Sequence, residues 1–97
     1  MKDIITQIFE IENKIRPDEF LSFKRNFQRI YHELEQEGYT VINPIGQLYD
    51  ERDVAIEANL SNEHNKALTI TKVLKPIIYR SEAGNRTLIQ KAVVIVG

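Results

Sequence analysis

The stretch PDEFLSFKRNFQRIYHELEQEGYTVI, residues 17–42, changes its hydrophobic period partway along and thereby sets the fold class. Its apolar positions first run Phe20, Phe23, Phe27, Ile30 and Leu34, with Tyr31 beside them. This spacing of three and four draws one seam along a helix over about two heptads. Pro17 suits the first helical position, where its missing N–H would be unpaired anyway, and Asp18 and Glu19 complement the positive end of the helix dipole. Gly38 is the expected C-cap, because glycine enters the left-handed conformation without steric cost. Glu33, Glu35 and Glu37 sit at the unfavourable end of the dipole, a small local conflict. After the glycine, Tyr39-Thr40-Val41-Ile42 has the texture of a short strand. Helix followed by strand, without βαβ alternation, predicts an α+β fold.

Upstream, Ile4, Ile5, Ile8, Phe9, Ile11 and Ile15 trace an apolar stripe on a first helix, which breaks at Arg16 because the residue before a proline is pushed out of the helical region. Two helices with one apolar face each do not bury both faces by packing on one another. The economical solution is an intermolecular four-helix bundle from two chains, with Phe20, Phe23, Phe27, Ile30, Tyr31 and Leu34 as the dimer interface. The alternative is docking of both helices onto the chain's own sheet. Residues 1–38 are therefore read as a helical dimerisation segment and residues 39–97 as a β domain.

Downstream, a turn-rich stretch through Asn43-Pro44 and Gly46 leads to a half-buried strand at residues 54–60, with Val54, Ile56, Ala58 and Leu60 on one side. A polar loop spans residues 61–66. Two long strand candidates follow, residues 67–79 and 87–96, joined by a hairpin connection at residues 81–85. Pro76 lies inside the first and predicts an edge position, a bulge or a break, since it cannot donate to a ladder. The run Ala92-Val93-Val94-Ile95-Val96 is apolar on both faces, as a covered central strand would be. Together these strands predict a small antiparallel β unit.

The 97 residues, 42 % hydrophobic and 28 % charged, suit one folded domain or a small domain with an associating extension. No apolar run approaches the roughly 20 residues that span a bilayer, and Lys2 and Asp3 interrupt the start, so no membrane partner and a cytoplasmic location are expected. The absence of cysteine excludes disulfides, thiol nucleophiles and Cys-ligated zinc. Residues 1–65 carry 7 Lys/Arg against 13 Asp/Glu, whereas residues 66–97 carry 6 against 1, which places a positive field on the C-terminal strands.

Catalytic chemistry finds no foothold in this pattern. His32 and His64 have no partner at ligand spacing. Asp50, Glu51, Asp53 and Glu57 are dense, but Arg52 and Ala55 occupy positions where a calcium loop needs ligands, and no glycine makes the sharp turn. The four glycines are too scattered to cradle a phosphate. The reading is therefore a non-enzyme without metal or cofactor. A nucleic-acid partner ranks behind a protein one: Lys72, Lys75, Arg80, Arg86 and Lys91 are accompanied only by Tyr79, where single-strand binders interleave several aromatics.

The second helix leading into Gly38-Tyr39-Thr40-Val41-Ile42, the stretch Leu48-Tyr49-Asp50, the strand ending at Lys75, and the close Arg86-Thr87-Leu88 with Ala92-Val93-Val94-Ile95-Val96 together resemble the GrpE family of nucleotide exchange factors. The resemblance covers about the last two thirds of the chain. It implies a homodimer held by a four-helix bundle, and a β domain that inserts against the nucleotide-binding domain of a DnaK-type chaperone to promote ADP release. It further implies that Arg86 is a charged partner contact, that Lys75 matches a lysine of the family, and that Val96 falls near a terminal apolar contact, a position that reads equally well as core packing. The chain departs from the family where Glu51 follows Asp50, where Pro76 replaces a glycine, where Gln90-Lys91 replaces Arg-Pro, and in having only about sixteen residues ahead of Pro17 in place of a long paired helix. A diverged dimeric adaptor with another partner is the second reading.

Overall fold

The structure, a computed structural model, describes residues 1–60 and 68–97. The polar loop expected at residues 61–66, His64 within it, and the first residue of the strand candidate at 67 lie outside the described residues. Two helices come first, α1 (Lys2–Lys14) and α2 (Pro17–Gln36), followed by β1 (Tyr39–Ile42), β2 (Ile56–Leu60), β3 (Ile70–Lys75), β4 (Ile77–Glu82), β5 (Asn85–Gln90) and β6 (Ala92–Val96). The α+β class read from residues 17–42 is the class observed.

Local signals explain the boundaries. Pro17 opens α2, with Arg16 extended before it, and the Gly38 N–H closes the helix on the Glu35 carbonyl, 2.9 Å away, at φ +92°. The Gly38 carbonyl then accepts from the Ser81 N–H at 2.8 Å, so the chain passes from helix cap to sheet ladder within one residue.

The strands make two three-stranded sheets, ordered β1-β4-β5 and β2-β6-β3. Of the edge position, bulge or break that Pro76 allowed, the structure has the break: β3 ends before it and β4 begins after it in the other sheet. Lys91 marks the same change between β5 and β6. The C-terminal third is thus one long antiparallel ribbon whose two strands leave one sheet for the other at the same level. A two-residue turn, Ala83-Gly84, closes the far end with φ +51° and +82°, the pair of positive values that matches the twist of a hairpin.

β6 is the covered central strand, antiparallel to β3 and parallel to β2. The second pairing makes this sheet mixed rather than purely antiparallel. Parallel pairing needs a long connection, and the chain between β2 and β6 supplies one. The outer edge of β3 is covered by residues 46–49, through bonds from Gly46 N to Ile70 O, Ile70 N to Gln47 O and Tyr49 N to Leu68 O.

One expectation about β2 needs correction. Val54 is exposed and Ala55 is buried, because residues 50–55 are still turning and strand alternation starts only at Ile56. The turn is held by Asp53 N to Asp50 O at 2.9 Å and by Ala55 N to the Asp53 carboxylate at 2.9 Å.

β4 lies between two apolar clusters and alternates between them. Ile77 and Tyr79 join Phe9, Ile56, Ile70, Val73, Val94 and Val96 between the sheets. Ile78 faces the helices and meets Ile5, Leu34, Ile30 and Tyr31. The two helices therefore dock on the chain's own strands, and the helical and β segments share both clusters. The Tyr31 hydroxyl donates to the Glu12 carboxylate at 2.8 Å and ties α2 to α1.

Candidate functional site

The β4–β5 hairpin presents the positive charge that the C-terminal sequence announced. β4 and β5 pair with Ser81 opposite Arg86 and Tyr79 opposite Leu88, so Arg86 and Tyr79 are diagonal neighbours. The Arg86 guanidinium lies over the Tyr79 ring, 3.7 Å from its centroid. On the other strand pair, Tyr39 stands opposite Arg80, whose guanidinium sits 4.7 Å over the Tyr39 ring and donates to its hydroxyl. Stacking of this kind contributes about 0.5–1 kcal/mol at exposed sites. It also fixes a long side chain in place, and Arg86 remains exposed while Arg80 is half-buried. Among the described residues, no carboxylate comes within ion-pair distance of Arg80, Arg86, Lys72 or Lys75; the ion pairs present involve Arg16, Arg52 and Lys91.

The three residues singled out for partner binding fall in different places. Arg86 is exposed near the hairpin tip. Lys75 is exposed at the end of β3, next to Pro76 and beside Val93 in register. Arg86 pairs with Ser81, six residues along the chain from Lys75, which is about 20 Å of extended strand. Val96 is 3 % exposed and packs between the sheets, so the core-packing reading describes it and it offers no surface to a partner in this fold.

The six residues of the helical seam divide as well. Phe27 and Leu34 are buried, Phe20 stacks on Phe27 with ring centroids 6.3 Å apart, and Ile30 and Tyr31 pack on the cluster around Ile5 and Ile78. Phe23 is the exposed member, at 44 %. Burial, aided by the hydrogen bond to Glu12, pushes the Tyr31 phenol well above its ordinary range.

The acidic stretch after Leu48 serves the turn. Asp50 accepts from Arg52 N at 2.9 Å and from the Arg52 guanidinium at 3.1 Å through each carboxylate oxygen, and these bonds hold its carboxyl below the usual carboxylate range. Among the described residues, no group of three or more His, Asp or Glu side chains is placed to hold a metal ion, and no helix is long and apolar enough to cross a membrane. His32 is exposed on α2.

Sequence reasoning missed one connection. Gln90, where the ribbon changes sheets, donates through Nε2 to the Pro76 carbonyl at 3.0 Å and to Thr6 Oγ1 at 3.0 Å, and its Oε1 accepts from the same hydroxyl at 3.2 Å. Thr6 is the buried polar residue of α1. The only signal was a polar pair, Gln90-Lys91, ahead of an apolar run. No family model, curated protein or solved structure matches the chain.

Proposed function

We propose that the chain is a GrpE-like co-chaperone: a cytoplasmic, non-enzymatic homodimer that binds the nucleotide-binding domain of a DnaK-type chaperone and promotes ADP release. The observation that carries this reading is Arg86, a cation without a carboxylate partner among the described residues, held in position on Tyr79 near the hairpin tip. A preorganised arginine on a rigid strand loses little entropy on meeting an acidic group. Lys75 extends the positive surface toward the corner at Pro76. The mechanism is differential affinity. A protein that binds the open, nucleotide-poor chaperone about 100-fold more tightly than the closed form weakens ADP binding by the same factor, about 2.7 kcal/mol, and breaks no bond.

The test is stopped-flow release of a fluorescent ADP analogue from a DnaK-type chaperone of the same organism. Acceleration of about ten-fold or more at micromolar protein is expected, and Arg86→Glu should abolish it while leaving the circular-dichroism spectrum intact. Unchanged release by the folded wild-type protein would reject the exchange-factor reading in favour of an adaptor for another partner.

A further inference from the structure

The structure splits the apolar stripe of α1 in two. Ile5 and Phe9 point into the body of the protein, whereas Ile4 and Ile11 remain 59 % and 55 % exposed. Ile4, Ile8 and Ile11 follow one another at steps of four and three, with Ile8 half-buried and Ile15 at the C-cap, a narrow seam with the spacing of a coiled-coil contact rather than the broad face that docks on a sheet. Glu12, on one flank of this seam, is held by Tyr31 of α2. On the other flank, Gln7, Lys14 and Asp3 are exposed, and neither Asp3 nor Lys14 has an ion-pair partner among the described residues.

We infer that this seam pairs with the same seam of a second copy, α1 against α1 and antiparallel, about a two-fold axis that passes between Gln7 and Ile8. An isologous contact requires a surface complementary to itself. Turning the helix end for end about a point between Gln7 and Ile8 brings Ile4 onto Ile11 of the other copy, sets the two Ile8 side chains beside each other, and keeps the same flank on the same side. Asp3 then comes within a turn of Lys14 of the other copy, and the symmetry makes that pair twice. In a parallel pair the two charges stay about 16 Å apart along the axis and do not meet. The inference rests on the dimeric part of the proposed function and not on ADP release. It also moves the contact from the α2 seam, whose Phe27 and Leu34 already serve the chain's own core, to α1.

The chain has no cysteine, which makes disulfide trapping clean. An oxidised mixture of Ile4→Cys and Ile11→Cys chains should give a mixed disulfide as the dominant cross-linked species, while Ile4→Cys alone stays uncrosslinked. Ile4→Glu, at an exposed position that leaves the fold intact, should raise the dimer dissociation constant at least about 100-fold in sedimentation equilibrium, because each substitution enters the interface twice. Efficient Ile4–Ile4 linkage would overturn the antiparallel pairing and leave a dimer of another geometry. A monomer at all concentrations, with a folded spectrum, would overturn both this pairing and the dimer itself, whereas failure of ADP release with the mixed disulfide present would overturn only the co-chaperone reading.

Discussion

Two residues with positive φ have opposite chemistry at the same kind of position. Gly38 needs its freedom twice over: its φ is +92°, and a Cβ placed on it would lie 2.8 Å from the backbone oxygen of Ser81. Gly38→Ala should therefore cost about 1–3 kcal/mol, read as a lower urea midpoint with an unchanged slope. Ala83 occupies the first central position of the hairpin turn at φ +51° with a side chain that disfavours it. Ala83→Asn should move the midpoint the other way, by up to about 1 kcal/mol, because asparagine adopts this conformation readily in such turns. Both glycine turns were legible as punctuation. That Gly38 also touches Ser81 was not, since the contact crosses more than forty residues of chain and depends on the β1–β4 register.

At the scale of elements, the corner of the ribbon organises the fold. Pro76 removes a ladder donor and the strand changes sheets there, but its carbonyl still needs a partner, and the Gln90 side chain provides one while also holding Thr6 of α1. The three groups form one part-buried network, so their deletions should not add. Thr6→Val and Gln90→Ala should each destabilise by about 1–2 kcal/mol, with a coupling of at least about 0.5 kcal/mol in a double-mutant cycle. Strict additivity would mean that Gln90 serves only Pro76. The break at Pro76 could be read from the sequence because proline acts locally, whereas its coincidence with Gln90 depends on strand register, set by pairing between distant segments.

For the whole molecule, the helices complete the β unit as well as preceding it. Phe9 reaches past α1 into the cluster between the sheets, so Phe9→Ala should lose about 3–5 kcal/mol and unfold helix and sheet signals in one transition, whereas separate transitions in far-ultraviolet circular dichroism and tyrosine fluorescence would show two independent units. The class, the helix pair with its break at Arg16–Pro17, the closing glycine at Gly38, the strand at residues 39–42, a disruption of the strand at Pro76 and the central place of β6 were all legible in the chain alone. Each of these follows from local stereochemistry or from a hydrophobic period within one segment. Which isoleucines of α1 face inward, that β2 runs parallel to β6, that Val96 belongs to the core, and that Arg86 rests on Tyr79 emerged from the folded arrangement instead. Those depend on which segments meet. A helix or strand pattern marks an apolar face and its spacing without naming the surface that covers it, because burial is nondirectional and many partners satisfy it equally.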